Sequence, residues 1–455
     1  EISCSLVGSE MCIRDRVNTD QIGSDVFQEA DITGSAEPFV KHSYLLKDPE
    51  DTARVFKEAF YIAGTGRPGP VLIDIPMDVQ KAVIDFEYPE KCEIRSYKPT
   101  TKGNYVQVRR VMAALEEAEK PLICIGGGVF AAHAENEIRE LADLMQIPVI
   151  TTMMGISVFP DDDQLFCGMI GTHGVKMANA AVNECDVLFL VGARVGDRAV
   201  KTPLALEKTT KIIHIDIDPA EIGKNIGADL PLVGDAKLVL QQMTELAKPM
   251  KHDEWIAHIK TLGGERKYVE PAKGTVNPRV FIDRLAKKMP ANVTVVADVG
   301  QNQIWTCTEY KFRKEGRLLT SGGMGTMGYS VPAAIGAKMA DNSRATVAIC
   351  GDGAFQMSFM ELATAVQFGV DIKVVVMTNN RLGMVRELQT NGYHDRQTAV
   401  FLDGSPDFIK LAEAYGIPAM RVYDDDTMDK GIEMLAEHKG ICLVEVVVDK
   451  DMPTL

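Results

Sequence analysis

What most constrains this chain is a unit that recurs along it: a short apolar run, a loop of small or acidic residues, then a longer helical pattern. Apolar runs too short for helices and followed by helices read as strands inside parallel sheets, so the expected fold class is α/β. The expected strands are Val71–Ile75, Leu122–Ile125, Val149–Thr151, Val187–Val191, Ile212–Ile217, Val293–Ala297, Ala345–Cys350, Ile372–Met377 and Leu443–Val448. They fall into three blocks. Residues 17–84, with an amphipathic stretch Asp51–Ala63 and a Gly/Pro turn before the strand, look like the tail end of a domain. A polar stretch 85–104 reads as a linker, 105–250 as a central domain, 251–276 as a charged helical connector and 277–455 as a last domain. Residues 1–16 continue no periodicity and form no clean signal peptide, so they are expected to be foreign to the fold.

At 455 residues the chain can bury several cores, and 46% hydrophobic with 25% charged residues places it among folded globular proteins. A formal charge of −15 leaves no basic tract for phosphates, so neither nucleic acid nor an anionic membrane is an expected partner. The nine cysteines form no CxxC pair and no Cys/His cluster, which argues against a disulfide framework and structural zinc. With no apolar run of transmembrane length, a reducing, cytoplasmic compartment is expected.

The chemistry is carried by the last block. Strand Ala345–Cys350 runs into Gly351-Asp352-Gly353-Ala354-Phe355, with a helical pattern over 356–368. The glycines let the backbone approach phosphate oxygens, and a helix start offers unpaired N–H groups to an anion. One carboxylate alone holds magnesium weakly, because the ion shares an octahedron of oxygens among protein, phosphate and water. The next strand delivers Asn379, 27 residues after Asp352, at the neighbouring strand end. A lone Gly-Asp-Gly is most often an ordinary turn. Paired with the asparagine, each after an apolar strand, it is the pattern of a magnesium-bridged thiamine diphosphate rather than a Rossmann or Walker site.

Several separated segments extend that pattern: Gly23-Ser24-Asp25-Val26-Phe27-Gln28-Glu29-Ala30, Lys41-His42-Ser43-Tyr44-Leu45, Gly66-Arg67-Pro68-Gly69-Pro70, Met327-Gly328-Tyr329-Ser330-Val331-Pro332-Ala333-Ala334 and Leu382-Gly383-Met384-Val385-Arg386. In these, over nearly all of 17–455, the chain resembles the catalytic subunit of acetohydroxyacid synthase, the acetolactate synthase family. The resemblance implies three doubly wound parallel-sheet domains of the thiamine-diphosphate enzyme type, the first incomplete and pyrimidine-binding, the second FAD- or nucleotide-binding, the third diphosphate-binding. It implies that Val299, Gly300, Gln301 and Asn302 touch the diphosphate, although many relatives have His at Asn302. With them would stand Gly351, Asp352, Gly353 and Ala354, then Leu382, Gly383 and Met384. Gly325 and Met327 would support the bent cofactor. The magnesium would take Asp352, Asn379 and the backbone carbonyl of Arg381.

The central block offers Gly126-Gly127-Gly128, Gly171-Thr172-His173-Gly174, Gly192-Ala193-Arg194-Val195-Gly196-Asp197-Arg198 and the strand end Asp216-Ile217-Asp218. None is a GxGxxG fingerprint, so the spacing leaves a nucleotide and plain α/β turns both open. The resemblance points to FAD, which anabolic members carry and related catabolic enzymes lack; Arg-Val-Gly-Asp-Arg departs at two positions from the anabolic Arg-Phe-Asp-Asp-Arg. The flavin would be lined by Arg67, Gly126, Gly127, Gly128, Thr152, Met153, His173, Gly192, Arg194, Arg198, Asp216, Ile217 and Asp235. A histidine such as His173 or His214 is more often a satisfied structural residue than a ligand.

The activity implied is decarboxylation of pyruvate and ligation to a second 2-keto acid, pyruvate or 2-ketobutyrate, the first common step of branched-chain amino acid synthesis. Gln28 and Lys41 would face the reacting groups and Phe27 would wall the pocket; Lys41 also reads as a solvated cation and Gln28 as a surface cap. The glutamate that activates the aminopyrimidine in relatives has no counterpart here, so the polypeptide as given is expected not to complete a turnover alone. Leu388, where many anabolic relatives carry Trp, would favour pyruvate as acceptor, and Met77 replaces a usual lysine near the substrate entrance. Another thiamine-diphosphate enzyme, such as pyruvate oxidase or glyoxylate carboligase, and a non-catalytic cofactor-binding module are the competing readings. A homodimer or tetramer is expected, and a small regulatory subunit is common in the family.

Overall fold

In a computed structural model of the chain the described residues are 11–27, 29–264 and 268–455, with 11–16 described as backbone only. Fifteen strands among them form three sheets, all parallel. The first holds β1 (Met11–Arg16), β2 (His42–Leu45) and β3 (Val71–Pro76) in the order β1-β3-β2. Helix Thr52–Gly64 lays Val55, Ala59 and Ile62 over Val71, Ile73 and Ile75. Residues 1–16 were expected to stand outside the fold, yet the backbone of β1 runs beside β3, Met11 opposite Val71 and Arg16 opposite Pro76. An unpaired strand edge presents a row of N–H and C=O groups that any nearby extended segment can satisfy.

The central sheet comprises β4 (Pro121–Ile125), β5 (Val149–Thr151), β6 (Phe166–Met169), β7 (Val187–Val191), β8 (Lys211–Asp216) and β9 (Leu230–Val233), ordered β6-β5-β4-β7-β8-β9. The last sheet comprises β10 (Thr294–Ala297), β11 (Arg317–Thr320), β12 (Thr346–Gly351), β13 (Lys373–Thr378), β14 (Ala419–Val422) and β15 (Cys442–Val447), ordered β11-β10-β12-β13-β15-β14. Both are doubly wound. Ile123 and Ile125 of β4 enter one core and Leu122 and Cys124 the other; Val347 and Ile349 of β12 likewise oppose Ala348 and Cys350. Burial on both faces is why these strands are continuously apolar.

In such sheets the strand order reverses at one point, and the carboxyl ends on either side splay apart into a crevice. Here that point lies between β4 and β7 in the central sheet and between β10 and β12 in the last. Besides β1, which falls in the segment expected to be foreign, the strands absent from the sequence expectation, β2, β6, β9, β11 and β14, all lie at sheet edges and are four residues long. Covered on fewer sides, they carry mixed residues such as Phe-Cys-Gly-Met and Ala-Met-Arg-Val, with little hydrophobic signal. The helix expected over 356–368 instead begins at Asp352 and is broken: Asp352–Phe355, a 3₁₀ turn Phe359–Glu361, then Leu362–Gln367.

Candidate cofactor site

Three strand ends converge beside the switch point of the last sheet. β12 ends in Asp352, whose carboxylate is 2% exposed. Its Oδ1 accepts the N–H of Gly353 at 2.8 Å, and Oδ2 accepts those of Asn380 at 2.6 Å and Asn379 at 3.1 Å. Asn380 sits at φ 53°, and this left-handed turn after β13 curls both amides back toward the acid. Burial pushes the Asp352 carboxyl up to about 6, only partly offset by those N–H groups. A desolvated acid met by backbone dipoles alone is the chemistry of a site that gains from a cation. Asn379, just after β13, accepts the N–H of Arg381 through its Oδ1 at 3.0 Å. Among the described residues no three His, Cys, Asp or Glu side chains gather, so an ion beside Asp352 must draw on amide, carbonyl, phosphate or water oxygens.

From β10 come Asp298, Val299 and Gly300, the last at φ 140°, before helix Gln301–Glu309. Asn302 donates to Asp298 O at 2.8 Å and Ile349 O at 3.2 Å, bridging β10 and β12 across the switch point. Gln301 accepts from Asn379 Nδ2 at 3.3 Å. A Cβ on Gly383 would stand 1.9 Å from Gln301 Oε1, and one on Gly353 would stand 2.8 Å from Leu382, so the loops leave no room for side chains there. Arg381 turns its guanidinium away to Asp403 at 2.8 Å, over the ring of Phe401. Met384 lies in the first turn of helix Gly383–Gly392, and Ala354 is buried beneath the acid's loop.

One residue in this cluster, Asp298, was not singled out in the sequence. Its buried carboxylate accepts N–H from Val299 at 2.8 Å, Gly328 at 3.0 Å and Ser330 at 2.7 Å. It thereby ties the segment carrying Gly325 and Met327 to the end of β10, and Met327 comes within reach of Gly353. The available signal was an acid at a strand's carboxyl end just before Val299-Gly300-Gln301, the same placement that marked Asp352.

In the central domain the loops after β4 and β7 meet at the switch point: a Cβ on Gly126 would lie 2.1 Å from Gly192 O, and one on Gly128 2.7 Å from Gly192 Cα. These glycines therefore serve the contact between two loops. Gly171 meets the carbonyl of Arg198 in the same way, while the Arg198 side chain is exposed. Arg67 reaches from the first block to Glu221 at 3.0 Å, beside Asp218. Asp216 is buried, its carboxyl raised by desolvation, and Glu221 Oε2 is buried without a partner. Burial lowers the pKa of His214, and desolvation with the Arg198 charge lowers that of His173. Thr152 bonds back to Ile125 O at 2.9 Å and opens the turn Met153–Gly155. Asp235 caps helix Ala236–Thr244 through Leu238 N at 3.1 Å, and Ile217 follows Asp216 at the strand end. Arg194 gives its carbonyl to Asn225 at 2.8 Å.

Phe27 is 88% exposed, and Gln28 lies outside the described residues. Lys41 is not the solvated cation that one reading allowed: its Nζ donates to Ile62 O, to Thr65 O at 2.7 Å and to Tyr97 Oη at 3.0 Å, at the C-terminal end of helix Thr52–Gly64. Carbonyls at a helix end lack intrahelical donors and attract a cation. Met77 and Leu388 are exposed.

Comparison with known proteins agrees with this geometry. Residues 298–446 match the family described as thiamine pyrophosphate enzyme, C-terminal TPP binding domain, and residues 108–243 match its central domain. Over 448 residues the chain is 41% identical to a probable acetolactate synthase large subunit of Methanocaldococcus jannaschii, covering 95% of this chain and 76% of the relative. It is 40% identical to the acetolactate synthase large subunit of Corynebacterium glutamicum (97% and 72% covered) and 36% identical to the isozyme 3 large subunit of Escherichia coli (95% and 78%). With strand-end loops gathered beside the switch point of a domain that matches the thiamine pyrophosphate family, and such relatives along nearly its whole length, the chain belongs to the acetolactate synthase large-subunit family of thiamine-diphosphate enzymes.

Proposed function

We propose that this chain acts in acetolactate synthesis, joining the two-carbon unit of decarboxylated pyruvate to a second 2-keto acid, pyruvate or 2-ketobutyrate. The observation that carries it is the buried Asp352 carboxylate, beside Asn379 and met only by backbone N–H groups. That donor set fits a magnesium ion: Asp352, the Asn379 amide oxygen and the Arg381 carbonyl would hold it, leaving its other positions to a diphosphate and water. Val299, Gly300, Gln301, Asn302, Gly351, Gly353, Ala354, Leu382, Gly383 and Met384 would line the diphosphate, with Gly325 and Met327 on the ring side. Bound there, thiamine diphosphate supplies the carbanion that adds to a keto carbon and takes up the electrons left as carbon dioxide departs. The chain's own groups bind and orient. Asp298 fixes the segment that carries Gly325 and Met327 through the N–H groups of Gly328 and Ser330, which would hold the ring side in place. Phe27, Gln28 and Lys41 belong to the substrate side in this reading.

In the central domain we place FAD in a non-redox role in the β4/β7 crevice, where the unpartnered Glu221 oxygen and buried Asp216 offer acceptors for ribose hydroxyls. Arg67, Thr152, Met153, His173, Arg194, Arg198, Ile217 and Asp235 surround it, and flavin absorbance of the purified chain tests it. The relatives' designation as large subunits supports association with a small regulatory subunit. Exposed Met324, Met357, Met360 and Phe368 support a homodimer or tetramer. No helix of the described residues is long and apolar enough to cross a membrane, and the seven cysteines whose side chains are described are all free thiols, which supports a cytoplasmic setting.

Isothermal titration tests the central claim. Thiamine diphosphate should bind the chain only when magnesium is present, and Asp352→Ala should abolish the uptake; binding that ignores magnesium would refute it.

A further inference from the structure

We propose that Glu387 is a positioning residue for the cation site: it fixes the amide of Gln301, and through it turns the oxygen of Asn379, rather than its nitrogen, toward the ion. The inference rests on the reading of Asp352 and Asn379 as magnesium ligands.

An amide's two ends differ in that one donates and the other accepts, and an ion can use only the oxygen. Which end of Asn379 faces the ion is therefore a functional variable. Asn379 Nδ2 points at Gln301 Oε1, 3.3 Å away, so its Oδ1 lies on the opposite side, where it accepts from Arg381 N. That arrangement holds only while Gln301 keeps its oxygen toward Asn379. The other end of Gln301 sits among acceptors: Met452 O at 2.9 Å, Thr454 Oγ1 at 3.2 Å and Glu387 Oε2 at 3.3 Å.

Glu387 makes this surrounding one-sided. Its Oε2 also takes the hydroxyl hydrogen of Thr454 and the Thr454 N–H at 3.1 Å. With its hydrogen committed to the carboxylate, Thr454 Oγ1 can only accept from Gln301. A reversed Gln301 would press its oxygen against a carboxylate, a carbonyl and a lone pair. Replace Glu387 by an apolar side chain and the hydroxyl hydrogen is freed to turn to Gln301, which can then reverse with only Met452 O and the Arg381 N–H opposing the change. Gln301 is buried, so water does not compete for these positions. A reversed Gln301 offers N–H groups to Asn379 and draws the amide oxygen away from the ion.

Groups behind a metal ligand that set its orientation are typically worth about 10–100-fold in metal affinity, so Glu387→Met should raise the magnesium concentration for half-maximal thiamine diphosphate uptake by about tenfold or more. Glu387→Leu serves as a second apolar variant. Glu387→Gln, which keeps an acceptor oxygen, should stay within about threefold of the unaltered chain on the same reasoning. The deciding measurement is the same substitution in an Asn379→Asp background. A carboxylate has two equivalent oxygens and no orientation to lose, so there Glu387→Met should shift the magnesium requirement by less than about threefold. Equal shifts in both backgrounds, or none in the native one, would overturn the proposal. Absence of magnesium-dependent uptake by the unaltered chain is a different result, and it would overturn the cation reading on which the proposal rests.

Discussion

Asp298→Ala isolates how the ring side of the site is held. The carboxylate is fully buried and satisfies three backbone N–H groups, those of Val299, Gly328 and Ser330. A buried donor left unpaired costs about 1–3 kcal/mol. Against this stands the relief of no longer burying a charge, since desolvation pushes the Asp298 carboxyl above its ordinary range. The net loss should be about 3–5 kcal/mol, and two of the three orphaned donors lie in the segment that carries Gly325 and Met327. If the loss is local, amides in residues 321–330 should exchange about 100- to 4,000-fold faster, at roughly 1.4 kcal/mol per tenfold. Hydrogen-exchange mass spectrometry of the cofactor-free chain reads this directly. Asp298→Asn should fall between the two: its oxygen can still serve Val299 and Gly328, while its NH₂ faces the Ser330 N–H. Exchange of 321–330 in Asp298→Ala within threefold of the unaltered chain would refute the reasoning, because the acid would then not be what holds the segment.

Gly383→Ala places a Cβ 1.9 Å from Gln301 Oε1 and should weaken thiamine diphosphate binding by about tenfold or more, as expected for a displaced supporting group, with little change in the melting temperature; unchanged affinity in a titration would contradict the packing seen there. His214, buried with its pKa lowered by desolvation, is held neutral, so the unfolded chain binds its proton more readily. Its contribution is full above the unfolded pKa near 6.5 and is lost as the pH falls from there through the depressed folded value, by up to about 1.4 kcal/mol per pH unit. Denaturant melts between pH 7.5 and 5.5 should therefore show a shallower acid slope in His214→Gln, and equal slopes would show that the imidazole already carries its charge in the fold.

The strand ends that carry Asp352 and Asn379 were legible in the sequence because each closes a strand buried on both faces. The run Ala345–Cys350 is apolar apart from Thr346, so its end, and hence the placement of Asp352, could be read to within a residue. Asn379 followed from the next such run. Edge strands escaped because four residues are too few for an alternating pattern to stand out, and β11 matters since it leads into the segment that Asp298 ties down. Lys41 was read as facing solvent or substrate, and its capture by Ile62 O, Thr65 O and Tyr97 depends on how helix Thr52–Gly64 and the segment near residue 97 pack. The central glycines drew attention as possible phosphate contacts, and the close approach of the loops after β4 and β7 gave them a second reason to be glycine.

The sequence by itself determined the α/β class, the positions of the buried strands and the two side chains at their ends that suit a cation. These are properties of single segments, set by hydrophobic period and by which residue stops a strand. Tertiary structure alone decided the strand order, and with it the switch points where the strand-end loops open. It also decided the distant partners of Asp298, Gln301 and Glu387, which lie 30 to 153 residues apart along the chain. Such contacts follow from where whole elements dock, and no local pattern of residue types records them.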